Sequence, residues 1–123
     1  MADIETALVD ALETVTAAGG RVWPKTWPQD ATWPGITYQL IARTPEHALN
    51  RAVGCWRDRW QIDCWATTYG GVVSLTSAVT AALLAFHGVS PRVIALGIED
   101  GGDMAEPATQ IHRRRLEAVI VYV

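Results

Sequence analysis

Between Cys55 and Phe86 the order of apolar and polar residues changes period once. From Cys55 to Ala66 the chain alternates: Trp56, Trp60, Ile62, Cys64 and Ala66 fall on one side of an extended strand, and Arg57, Arg59, Gln61 and Asp63 on the other. One side meets a core; the other meets water, a partner or a lumen. After Thr67-Thr68-Tyr69-Gly70-Gly71 the period lengthens to that of a helix, with Val72, Leu75, Val79, Leu83 and Phe86 in one stripe. Thr67 or Thr68 suits the N-cap of that helix, Gly70 and Gly71 weaken its first turn, and Gly88 stands where a C-terminal cap belongs.

The same reading extends outward. Ile4, Leu8, Leu12 and Val15 form an apolar stripe, with Asp3 as N-cap and Glu5 in the first turn, so an amphipathic helix of about four turns opens the chain and stops at Ala17-Ala18-Gly19-Gly20. Ile36 to Arg43 reads as a strand with Tyr38, Leu40 and Ala42 on one side and Gln39 and Arg43 on the other, broken by Thr44-Pro45-Glu46-His47. Arg92 to Ile98 is extended. Glu99 to Pro107, with Asp100, Gly101, Gly102, Asp103 and Glu106, reads as an acidic loop too polar for a core, and the segment through Thr109 is expected to be mobile until a neighbour orders it. Ile111 to Val123 alternates again, with Leu116, Ala118, Ile120 and Tyr122 facing one way and Arg113, Arg115 and Glu117 the other. The expected fold is α+β, one domain over residues 1–123, with two helices packed on a mainly antiparallel sheet of about four strands.

Arg21 to Gly35 carries three Trp-Pro pairs, at Trp23, Trp27 and Trp33. Each proline fixes its own φ and pushes the preceding tryptophan toward an extended conformation, which makes a stiff connection. Its aromatics have three uses open to them: a lid over the edge of the core, contact with a partner, or binding of a small ligand.

Bulk properties narrow the chemistry. A hydrophobic fraction of 50% is enough for a core without staples, and a net charge of −3 leaves no cationic excess for gripping phosphates. Cys55 and Cys64 point to opposite faces of one strand, roughly 30 Å apart, far beyond disulfide reach, and read as free thiols with Cys64 filling the core. No charged n-region followed by an apolar stretch opens the sequence, so neither export nor a membrane partner is expected. His47, His87 and His112 lack metal-ligand spacing, the glycine pairs match no phosphate-binding loop, no G-x-S-x-G occurs, and the acids from Glu99 to Glu106 lack the order of a calcium loop, so no catalytic, cofactor or metal site is expected. The arginines on the polar side of the strands alternate with acids: Arg57, Arg59, Asp63, Arg113, Arg115 and Glu117 form a mixed-sign face, which suits register and partner choice between subunits better than a polyanion. Arg114 points away from its neighbours.

An N-terminal amphipathic helix is followed by G-G-R-V-W-P, P-Q-D-A-T-W-P-G-I-T-Y-Q-L, T-P-E-H-A-L-N, R-W-Q-I-D-C-W-A-T-T-Y and E-D-G-G-D-M-A-E-P-A-T-Q-I-H-R-R-R-L-E-A-V-I-V-Y. In order and spacing, from about Ala2 to Tyr122, this resembles the tail-completion, or tail-terminator, family of long-tailed bacteriophages and related gene transfer agents. The resemblance implies a ring of identical copies, usually a hexamer, made in the bacterial cytoplasm and placed in the neck of the virion at the head-proximal end of the tail. There it stops growth of the tail tube and presents a docking surface to the head-completion, or stopper, protein, while DNA passes through the lumen without specific binding. No catalytic residue or cofactor comes with the role. On this reading Arg57, Arg59, Asp63, Arg113, Arg115 and Glu117 are the candidate assembly interface. Glu99, Asp100, Asp103 and Glu106 are a candidate docking or lumen loop, and Trp23, Trp27 and Trp33 candidate partner contacts. The tryptophans depart from the tyrosines or smaller residues more usual in the family. A head–tail stopper or adaptor, and a small ligand-binding module built on the Trp-Pro segment, are the alternatives.

Overall fold

Two long antiparallel hairpins joined by a helix make the sheet. The computed structural model describes residues 4–15, 18–28, 32–48, 51–86, 93–106 and 111–122. In chain order these form α1 (Ile4–Glu13), β1 (Val22–Pro24), β2 (Gly35–Ala48), β3 (Arg51–Ala66), α2 (Tyr69–Leu84), β4 (Val93–Glu106) and β5 (Ile111–Tyr122). The strands lie in the order β1-β2-β3-β5-β4, with β1 parallel to β2 and every other pair antiparallel. The α+β class holds. The sheet has five strands rather than about four, because part of the Trp-Pro segment adds β1, pairing Val22, Trp23 and Pro24 with Ile36, Thr37 and Tyr38.

Period-2 alternation decides which face is covered. Trp60, Ile62, Cys64 and Ala66 of β3 and Leu116, Ala118, Ile120 and Tyr122 of β5 are buried in one core with Ile4, Leu8 and Leu12 of α1 and Val72, Leu75, Val79 and Leu83 of α2. Both helices therefore lie on this inner face, and the outer face carries the odd-numbered residues of β3 and β5. Thr68 is the N-cap of α2, its Oγ1 accepting from the Gly71 N–H at 3.0 Å. A Cβ on Gly71 would come within 2.9 Å of that oxygen, so the glycine that weakens the turn leaves room for its cap. The helix ends at a C-cap on Ala85; Gly88, His87 and Asp3 lie outside the described residues. Among the described residues no helix is long and apolar enough to cross a membrane.

Four expectations need correction. Thr44-Pro45-Glu46-His47 does not break β2, which runs on to Ala48 in pairing with β3, with a register shift between Pro45 and His47 that accommodates the proline. The stretch holding Glu99, Asp100, Asp103 and Glu106 is not a loop: it is the second half of β4, paired residue by residue with β5 from Glu99↔Glu117 to Glu106↔Ile111. A register shift between Asp100 and Gly102, where Gly102 takes φ +93°, lets the strand pass through its glycine pair. In β2 a shift between Leu40 and Ala42 exchanges the two faces, so Ala42 joins the outer side and Arg43 turns inward opposite Asp58. Trp56, expected in the core, is 43% exposed. The reason is reach: β5 ends opposite Trp56, and beyond the pair Pro45↔Trp56 the strands β2 and β3 continue as a ribbon two strands wide to Ala48↔Arg51.

Candidate functional site

The outer face is built by β2, β3, β5 and β4 in that order, and among the described residues it is covered only at one end. There Trp65, on the odd side of β3, anchors an aromatic cluster: Trp27 and Trp33 lie 4.2 and 6.0 Å from it between ring centroids, and Trp23 lies 5.9 Å from Trp33. The Trp65 indole N–H donates to Thr37 Oγ1 at 2.9 Å, and the Arg113 guanidinium sits 5.2 Å over the Trp65 ring. Trp23, Trp27 and Trp33, half-buried, thus form a lid, and the lid closes on the outer face of the sheet rather than on the edge of the core. Trp65, which the lid needs, was legible only as a strand residue, since the alternation alone does not say what it packs against.

Next to the lid comes a polar band. Asp63 stands opposite Arg115 and Gln61 opposite Glu117 in the β3–β5 register, with Arg59 one step further along. Gln61 Nε2 donates to Asp63 Oδ2 at 3.0 Å, Arg113 lies 3.9 Å from Asp63, and Arg59 lies 4.0 Å from Glu117. The structure therefore gathers five of the mixed-sign residues, Arg59, Asp63, Arg113, Arg115 and Glu117, into one band, while Arg57, opposite Val121, lies beyond it on the same face. Asp63 is buried although it faces outward. Burial pushes its carboxyl above the usual range, and the Gln61 hydrogen bond and the Arg113 and Arg115 charges only partly pull it back. Its Oδ1 and the Nε of Arg115 have no hydrogen-bond partner among the described residues.

Beyond the band no described residue covers the face. A hollow of about 290 Å³ is lined by Ile41, Ala42, Thr44, Arg57, Arg59 and Val119. Ile41, at the register shift of β2, is 46% exposed. On the far side Glu99 stands directly across from Glu117, two carboxylates facing each other where a cross-strand pair prefers opposite charges. The acids of β4 have unlike surroundings: Asp103 is held by Arg114 at 2.6 and 3.0 Å, and Asp100 accepts from the Gly102 N–H at 2.9 Å. The Arg114 hydrogen bonds hold the Asp103 carboxyl below the usual range. Arg114 points to the other side of the strand from Arg113 and Arg115, where it also reaches Tyr69 Oη at 3.3 Å. Glu106 ends β4.

On the inner face one carboxylate escaped the sequence reading. Asp58, between two outward arginines, is fully buried and accepts from Arg43 Nε and Nη2, both at 2.9 Å, from the Trp60 indole at 3.1 Å and from the Tyr122 hydroxyl at 3.3 Å. It belongs to the core, not to the mixed-sign face.

The acids and arginines of the outer face are spread across three strands, β3, β5 and β4, and faces of mixed sign suit register and partner choice between proteins. The model of the family described as tail completion protein gp17 matches residues 4–122. The chain belongs to this family. Membership makes it a structural component of a phage tail, working in the tail and neck region of the virion. Among solved structures, a chain from the "Virion of native gene transfer agent (GTA) particle" has the same fold, with a TM-score of 0.68 at 13% identity over 97% of this chain and 93% of that one. No curated protein matches.

Proposed function

We propose that this tail completion protein is a tail terminator: copies close into a hexameric ring that caps the last ring of the tail tube and offers its other side to the head-completion protein. DNA crosses the lumen without specific contacts. The observation that carries this reading is the sheet itself. Among the described residues its outer face is covered at one end only, and its long strands leave β4 and most of β2 at open edges, a liability that pairing between copies removes. The mixed-sign band favours self-association over phosphate binding, because its arginines stand among Asp63, Glu99 and Glu117.

The solution mass of the intact protein tests the reading. A particle six times the chain mass supports it, and tails assembled without the protein should grow overlong. A monomer whose tryptophan fluorescence is quenched by a small ligand would favour a binding module, and duplex binding with a steep salt dependence would favour a role on DNA.

A further inference from the structure

Each residue of an antiparallel sheet turns its N–H and C=O toward one neighbouring strand, and the next residue turns its own toward the other. The Ile36 N–H donates to the Arg21 carbonyl and the Tyr38 carbonyl accepts from the Lys25 N–H, so Ile36 and Tyr38 turn away from β3, and Thr37 and Gln39 toward it. Carried across the register from Gln39 to Gln61, from Ile62 to Leu116 and from Glu117 to Glu99, the alternation leaves Leu40 of β2 and Leu96 and Ile98 of β4 with their backbone groups directed outward. Among the described residues no strand takes them up: β1 flanks β2 only as far as Tyr38, and β4 ends the sheet on the other side.

The side chains of the same three residues belong to the helix-covered side. Leu40 stands opposite Trp60, Leu96 opposite Ile120 and Ile98 opposite Ala118, all three partners being core residues. Yet Leu40 is exposed, and Leu96 and Ile98 are only half-buried. Beside Leu40 lies a hollow of about 360 Å³ whose lining includes Pro24, Tyr38 and Trp60.

We infer that β4 of one copy pairs with β2 of the next through the outward groups of Leu96, Ile98 and Leu40, and sets an apolar side chain of β4 in the hollow beside Leu40. This rests on the ring reading and names the contact that builds it. The partner is a second copy because the two edges lie at opposite ends of one sheet, each with unpaired backbone and apolar side chains on the same side. β2 and β4 are three antiparallel pairings apart and so run in opposite directions; copies that follow one another with their helices on the same side therefore meet in the antiparallel sense. A contact between opposite ends repeats from copy to copy, as a ring requires. Two β4 edges would instead set Glu99, Asp100 and Asp103 of one copy beside those of the other.

One substitution on each edge of the full-length chain provides the test, with masses read by native mass spectrometry and folding by circular dichroism. Leu40→Lys puts a charge into the seam from β2. Ile98→Pro removes an outward N–H from β4 and no ladder bond within the chain. Each variant alone should lose the ring and leave single chains. The two mixed should form complexes of two chains, one of each variant, because one sound β4 edge then meets one sound β2 edge. Hydrogen exchange adds a readout across the seam: the Leu96 and Ile98 amides should be protected in wild-type rings and lose that protection in Leu40→Lys, a change on the other edge. If Ile98→Pro fails to fold, Leu40→Lys and its exchange decide alone. Rings that persist in either folded variant, a mixture of folded variants that stays as single chains, or equal protection in wild type and Leu40→Lys overturns the contact and leaves the ring reading standing. A wild-type chain that is monomeric or a two-fold dimer overturns the ring reading, and the contact with it.

Discussion

Asp58 and Asp63 are five positions apart on β3 and lie on opposite faces, and the difference between them is one of partners. Asp58 is surrounded by four donors at 2.9 to 3.3 Å, enough to satisfy a buried carboxylate. Asp63 has one firm hydrogen bond, from Gln61, and one oxygen with none among the described residues. Its carboxyl is raised from the ordinary 3.8, chiefly by burial, so the folded chain holds that proton more tightly than the unfolded chain does. The sign follows: stability falls as pH rises from about 4 through the raised value, and levels off above it. Asp63→Asn should remove this downward step, and urea midpoints compared between wild type and variant across pH 3.5 to 7 will show it; an unchanged difference at all pH values would mean that Asp63 is not perturbed. Alternation along β3 gives Asp58 the core side, a consequence that the sequence reading did not draw. What hid its role is that Arg43 reaches it only because β2 shifts register at Ile41, and Tyr122 only because β5 lies beside β3, neither of which a linear pattern encodes. Cys64 tells a similar story with a better outcome: its position on the core side was legible, and burial pushes its thiol up to about 12, as befits a side chain used for packing.

At the scale of elements, β1 and β4 carry most of what differs from the reading of the sequence. The run Glu99 to Glu106 holds two glycines and four acids, all poor strand formers, and local preference alone makes it a loop. Pairing with β5 overrides that preference, helped by the Arg114–Asp103 ion pair across the two strands. β3, α2 and β5, whose apolar periods are strong, were legible nearly to their ends. β1 depends on a close approach that the Trp-Pro pattern does not announce. Trp23 packs its ring over Gly35, where a Cβ would sit 2.5 Å from it, and β1 is anchored on either side by the Ile36 N–H donating to the Arg21 carbonyl at 2.9 Å and the Lys25 N–H donating to the Tyr38 carbonyl at 2.8 Å. Gly35→Ala should therefore force Trp23 off its seat and cost about 1 to 3 kcal/mol, read as a lower melting temperature together with a change in tryptophan fluorescence. A variant that melts with the wild type would show that Trp23 has another seat.

The whole molecule is a single sheet with unlike faces: two helices on one, an aromatic lid and an open polar surface on the other. Its stability comes from the helical side. Leu83 and Ile62 are both fully buried in the same core, so Leu83→Ala should cost about 2 to 5 kcal/mol, seen as a lower denaturant midpoint with an unchanged slope. A midpoint equal to that of the wild type would refute the placement of α2. The sheet is also longer than the core that supports it. Between Trp60 and Trp65, β3 has a strand on either side and lies beneath the helices; between Arg51 and Cys55 it has only β2 among the described residues. Two strands by themselves are marginal in water. One continuous strand thus passes from a region whose amides exchange with solvent only when the entire chain unfolds to one whose amides exchange through local opening. The ribbon can fray and re-form many times without disturbing the core, which leaves the molecule with a rigid body and one end free to adjust its shape.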